Sequence, residues 1–345
     1  MSLSQNNTPV SPALQQRLHA MPKAELHVHI EGATSPETYY QIAERNRIRL
    51  SVASLEEWQS FFKFRNFPHF IEVYIAAVSC LKSPEDYAFL IENFYQSQAV
   101  QNILYTEAFL SATFLTQKFE DEAILDAIAS GMAAGSAKYG VRVNLIPDIS
   151  REQPDSQTRV LQLALKGKER GLFIGLGLGG LELEYPPELF SETFAIARSQ
   201  GLRVVAHAGE VAGAASIRGA INSLQAERIG HGIRCIEDSE LVNELRQLQI
   251  PLEVSPNSNY RLGIVANDQP HPIRQMFDAG LNCTVNSDDP AMFATNLTNE
   301  YLTLASQGFT WDELWRLNLN TLKASFLNET EKAEYLDKWE RFLSK

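Results

Sequence analysis

Three observations predict an α/β architecture, a (β/α)8 barrel with a helical insertion after its first strand. Short apolar runs recur eight times, at 25–30, 104–110, 142–147, 173–178, 203–208, 227–230, 251–255 and 282–287, with helical patterns between them. Those runs are apolar on both faces, as in Val141-Arg142-Val143-Asn144-Leu145-Ile146 and Phe173-Ile174-Gly175-Leu176-Gly177-Leu178. That pattern suits parallel strands covered by helices and not antiparallel strands with one wet face. Alternation of this kind also fits a doubly wound sheet. The barrel is preferred because four separated runs end in reactive polar residues, which a barrel gathers at one mouth and an open sheet would spread out.

Taken in order, the first run, Glu25-Leu26-His27-Val28-His29, sets two histidines two residues apart on one strand face, which inside a barrel is the lumen. The long excursion 34–101 that follows is mostly helical in pattern and carries Trp58, Phe61, Phe62, Phe64, Phe67 and Phe70. It reads either as an insertion with its own aromatic core or as a lid whose apolar underside is 61–70. The fourth run, from Phe173 to Gly180, holds neither lysine nor acid. The fifth, Leu202-Arg203-Val204-Val205-Ala206, leads directly into His207-Ala208-Gly209-Glu210. The sixth ends Arg228-Ile229-Gly230-His231, and the eighth, Cys283-Thr284-Val285-Asn286-Ser287-Asp288-Asp289, is closed by Pro290. Helical stretches lie at 188–200, 213–224 and 238–248, the last with apolar positions spaced by three and four.

No linker or low-complexity block interrupts the 345 residues, so 21–345 reads as one domain behind a polar segment and lead-in helix at 1–20. The stretch Met1 to Ser11 lacks the basic head and apolar run of a secretory signal. No segment reaches the ~20 apolar residues of a membrane span. Forty-two acidic against 30 basic side chains give a net charge of −12, which argues against a broad nucleic-acid-binding surface and toward a small-molecule partner. Cys80, Cys235 and Cys283 are isolated and odd in number, which fits neither a disulfide framework nor a CxxC metal site and points to a reducing, cytoplasmic setting. Nothing in the sequence speaks to oligomeric state.

His27, His29, His207 and Asp288 together supply three imidazoles and one carboxylate, a set that suits one zinc ion with a position left for water, whose pKa such an ion lowers toward ~7. Glu210, three residues beyond His207, is placed to carry protons; its plainer reading is a structural salt bridge. His231 between two glycines is either a site group that steadies an attacking hydroxide or a satisfied core histidine. Asp289 either faces a ligand or caps the helix opened by Pro290. Barrel hydrolases with two metals usually bridge them by a modified lysine at the fourth strand, so its absence favours one ion. A zinc site built on an H-x-E and a P-C-x-x-C pair has no counterpart here.

The segments 24–32, His207-Ala208-Gly209-Glu210, 228–232 and Ser287-Asp288-Asp289-Pro290 resemble, in content and order, the adenosine/adenine deaminase family of the amidohydrolase superfamily. The resemblance runs from about residue 21 to 330. It implies zinc held by His27, His29, His207 and Asp288, with Glu210 passing a proton to purine N1 while hydroxide attacks C6. It further implies that His231 stabilises that hydroxide, Asp289 binds N7, the Gly179-Gly180 backbone approaches N3, and His29 and Glu31 border the substrate. Glu31 stands where many adenosine deaminases carry a shorter, ribose-contacting aspartate, which points to adenine deaminases; the glycine-ended loop at Gly180 points back to the nucleoside branch. The expected reaction is deamination of adenosine or 2′-deoxyadenosine, with free adenine or a modified adenosine such as 6-aminodeoxyfutalosine as the alternative. A zinc esterase or amidase, or a binding module on the same barrel, would be the competing classes.

Overall fold

The computed structural model describes residues 9–344. The first eight residues of the polar N-terminal segment lie outside it. The lead-in helix is α1, Pro12–Ala20, started by Pro12 and capped by the Ser11 hydroxyl, which accepts from the Leu14 N–H at 3.3 Å.

Eight strands follow in sequential parallel order: β1 Lys23–Glu25, β2 Ile103–Leu110, β3 Arg142–Ser150, β4 Gly175–Gly179, β5 Arg203–Ala208, β6 Arg228–His231, β7 Leu252–Val254 and β8 Cys283–Val285. Each pairs with the next in sequence. A parallel bridge from Val28 to Asp288 joins the end of the first strand to that of the eighth. The sheet therefore closes into the expected (β/α)8 barrel, which leaves no edge strand exposed.

Most strand boundaries shift by one to three residues from the sequence-based ranges, and the two largest departures have local reasons. The first was expected over 25–30, but its ladder ends at Glu25 because the Asn286 side-chain oxygen takes the N–H groups of Leu26 and His27, at 2.9 and 3.1 Å. Beyond it only single bridges at Val28 and His29 continue the strand, and a short helix, α2 (Ile30–Ala33), starts immediately after. The third was expected to stop at Pro147 yet runs to Ser150. Pro147 falls where the ladder with β2 ends and that with β4 begins, so its missing N–H leaves no ladder bond unmade.

The excursion between β1 and β2 is helical as expected: α3 (Pro36–Arg45), α4 (Leu55–Phe61), α5 (Phe67–Ser79) and α6 (Pro84–Val100). Trp58 and Phe62 are buried, with Phe62 against Tyr39, so part of the insertion has its own aromatic core. Phe64 and Phe70 instead reach Phe293, at centroid distances of 5.8 and 5.0 Å, on the short helix Pro290–Phe293 that follows Asp289. The insertion thus lies on the rim of the mouth where the polar strand ends collect. The three cysteines are free and buried. Among the described residues no helix is long and apolar enough to cross a membrane.

Candidate active site and metal centre

Residues from four strand ends, those of β1, β5, β6 and β8, meet at the C-terminal mouth of the barrel. His29 Nε2 lies 3.2 Å from His207 Nε2 and 3.4 Å from Asp288 Oδ1; His27 Nε2 lies 3.5 Å from the same carboxylate oxygen. His231 Nε2 is 3.9 Å from Asp288 Oδ2 and 3.7 Å from Glu210 Oε2. All are buried or nearly so, with the His29 and Glu210 side chains the most open at 15% and 18% exposure. Two members are held in the left-handed backbone region, His231 at φ 61° and Asp288 at φ 65°. Such strain costs on the order of 1–3 kcal/mol per residue and persists where surroundings over-determine a site.

Hydrogen bonding fixes which nitrogens are free. His207 Nδ1 donates to the Leu178 carbonyl at 3.0 Å, so its Nε2 presents a lone pair to the centre. His27 Nδ1 faces Glu253 Oε2 at 2.9 Å, while its buried Nε2 has no hydrogen-bond partner. Burial lowers the pKa of His29 to about 4 and holds that of His207 well below its usual value, so both rings are neutral and able to offer a nitrogen lone pair. Burial would lower His27 too, but Asp288 and Glu253 outweigh it and raise the group to about 10. The same attraction favours a divalent cation. Against its burial, the surrounding imidazoles keep Asp288 well below the usual carboxylate range. Converging lone pairs, an unpartnered buried nitrogen and an ionised carboxylate fit a metal ion of the zinc type. Ligand atoms of His27, His207, His231 and Asp288 lie within 4.8 Å of one another, as do those of His29, Asp288 and Asp289.

The remaining site candidates line the same mouth. Burial first, then the Asp288 charge, raises Glu210 to about 8. It faces His231, whose pKa burial lowers to about 4, and among the described contacts no lysine or arginine pairs with it, so the salt-bridge reading has no support there. Asp289 precedes the helix Pro290–Phe293 without making a capping hydrogen bond. It is pushed well above its usual range by burial and by Asp288, and it packs so closely on Gly32 that a Cβ there would collide with its carboxylate. Glu31 is 1% exposed; its Oε1 accepts the Ser111 N–H at 3.1 Å, its Oε2 is unpartnered, and burial raises it to about 7. Gly180 has φ +92°, a left-handed conformation that a side chain would strain, and a Cβ there would strike Glu152.

Reading motif by motif did not find the groups behind this constellation. Glu253 receives His27 and is itself held by Arg228 Nε at 2.5 Å; Arg228 also pairs with Glu107 and stacks over Phe326 at 3.7 Å. Phe109 backs both histidines of the first strand, 4.9 Å from His27 and 5.1 Å from His29. Asn259 reaches His231 Nδ1 at 3.4 Å. The available signal was a charged residue inside an otherwise apolar strand run, as at Glu107, Arg228 and Glu253, since burial of a charge demands a partner.

Residues 22–341 match the family model for adenosine deaminase. The chain belongs to this family. The adenine deaminase of Wolinella succinogenes is 36% identical over 328 residues, spanning 94% of this chain and 98% of that protein. Among solved structures, the adenine deaminase from Arthrobacter aurescens superposes with a TM-score of 0.88 at 33% identity, covering 94% of this chain and all of the other. An amidohydrolase from Burkholderia ambifaria with bound Zn superposes at 0.84 with 26% identity, covering 97% and 94% of the two chains. Family membership makes the protein a hydrolytic deaminase, and its buried histidine and aspartate group can hold a metal.

Proposed function

We propose that the protein hydrolyses the exocyclic amine of free adenine, giving hypoxanthine and ammonia, with one Zn2+ held by His27, His29, His207 and Asp288. The observation that carries the choice of adenine is the near-full-length likeness to proteins named adenine deaminase, at 36% and 33% identity. The sequence favoured adenosine or 2′-deoxyadenosine and kept adenine as the alternative; the relatives favour the alternative. One Glu31 oxygen is committed to Ser111 and one is unpartnered, which leaves capacity for a single donor, a role that the ring N–H of free adenine fills in this reading.

Zinc, when bound, supplies a Lewis acid that lowers the pKa of water in the site. The chain's own groups then divide the remaining work. Glu210 delivers a proton to ring N1 as water adds at C6, and the amine leaves as ammonia once it is protonated. His231, at 3.7 Å from Glu210 and 3.9 Å from Asp288, steadies the attacking oxygen and keeps it in line. Asp289, raised toward its neutral form, donates to N7, and the Gly180 backbone approaches N3. His29 borders the ring beside Phe109. The proposed partner is a small purine substrate alone.

Ammonia release is measured side by side from adenine, adenosine, 2′-deoxyadenosine, AMP and 6-aminodeoxyfutalosine. Adenine is expected to be turned over at least about tenfold more efficiently than the others, a difference of about 1.4 kcal/mol in transition-state binding. Preference for a nucleoside would move the substrate back to the glycine-ended loop's indication and keep the mechanism. Silence on all five would refute purine deamination.

A further inference from the structure

Glu210 sits on a turn between β5 and the helix Ala214–Asn222 whose backbone cannot satisfy itself. Four consecutive N–H groups in it, those of Gly209, Glu210, Val211 and Ala212, converge on one carboxylate, that of Glu182. Gly209 bonds to Oε1, and the other three reach Oε2 at 3.2, 2.8 and 2.8 Å. Glu182 is 6% exposed and comes from the loop after β4, two residues beyond Gly180. Gly209 makes this convergence possible: its φ of +72° turns the chain, and a Cβ would collide with Ile217. Successive N–H groups around one point form an anion-binding nest, and here the anion is a side chain of the protein itself.

Opposite polarity is served by Arg151, which is fully buried. Its Nη2 donates to the His207 carbonyl at 2.5 Å and its Nη1 to the Tyr185 carbonyl at 2.6 Å, while its own N–H bonds to the Gly179 carbonyl at 2.8 Å. The end of β3, the β4 loop and the β5 turn are thereby tied by a cation on carbonyls and a carboxylate on amides. None of these bonds involves the Glu210 side chain, whose carboxylate is left to face His231 and Asp288.

We infer that Glu182 is a positioning residue: by gathering the amides of 209–212 it fixes the Glu210 carboxylate at the distance proton transfer requires, and it couples that acid to the loop on which Gly180 meets the purine. The inference rests on the proposed role of Glu210. Proton transfer needs hydrogen-bond reach, and a misplacement of about 1 Å can cost on the order of 10²-fold. A glutamine at 182 keeps the shape but presents an NH2 group to a ring of donors, so it opens the nest without emptying the space.

The test is a double-mutant cycle on metal-loaded protein, using whichever purine the wild type turns over. Glu182→Gln is expected to lower kcat by about 10- to 100-fold with KM within about threefold and metal content unchanged. In the Glu210→Gln background the same change should cost less than about threefold, because both act through one carboxylate. A full multiplicative loss in that background, or an unchanged kcat per bound metal, would overturn the inference. Amide deuterium exchange gives a readout independent of turnover. Exchange across 209–212 should accelerate in Glu182→Gln while peptides from β1 to β3 stay as in the wild type; unchanged exchange at 209–212 would equally refute the clamp. A wild type that is silent on every purine would refute the proposed function and leave exchange to decide the clamp. Should the glutamine variant fail to fold, Glu182→Asp, which keeps the charge one methylene shorter, carries the same comparisons.

Discussion

Replacing Glu210 by glutamine is expected to abolish most turnover while leaving the metal centre filled. The substitution is nearly isosteric, keeps hydrogen bonding, and removes only the ability to exchange a proton, so the loss should be about 10²-fold or more in kcat, the usual worth of a general acid–base group. Glu210 lies 3.7 Å from His231 and is not among the converging metal-ligand atoms, so occupancy should stay at one ion per chain. Steady-state ammonia release together with elemental analysis checks both halves. Near-normal turnover would remove Glu210 from the chemistry, and loss of metal would make it part of the cage.

Arg228→Met should cost the protein much of its stability although the residue touches neither substrate nor metal. The guanidinium is 1% exposed and is shared by Glu107 and Glu253, both fully buried. Removing it leaves the buried Glu107 carboxylate without a cation and Glu253 with His27 alone, and breaking a buried pair in this way costs about 3–5 kcal/mol. For a chain of this length that corresponds to a fall in Tm on the order of 5 °C. A second effect follows from the order of contacts. Glu253 holds His27 Nδ1, and such supporting carboxylates are typically worth 10- to 100-fold in metal affinity, so zinc should also bind more weakly. Thermal melts with and without added zinc separate the two effects. A Tm and zinc affinity equal to wild type would mean that the Glu107–Arg228–Glu253–His27 chain carries no energy.

The strands and their order were legible because eight apolar runs with helical spacing leave few alternatives, and His27, His29, His207, Glu210, His231, Asp288 and Asp289 were legible because each follows such a run. The geometry brings all of these together. What the sequence hid were groups acting across strands. Asn286 ends the first ladder by bonding Leu26 and His27, some 260 residues away in the chain, and no local pattern announces this. Glu182 is hidden for the same reason: it stands in an ordinary acidic loop, and only its convergence with the 209–212 amides gives it meaning. Pro147 misled in the opposite direction, since a proline usually ends a strand and here marks a change of partner. The substrate was the least legible feature, because Glu31 and Gly180 pointed to different branches of the family.

In the function proposed here, a single metal ion in the His27, His29, His207 and Asp288 cage is required for purine deamination. The direct test is ammonia release from adenine by protein stripped with a chelator and then titrated with Zn2+. Activity should be absent in the stripped protein and should rise linearly to a plateau at one equivalent per chain; full activity of the stripped protein, or a plateau at two, would contradict a single essential ion.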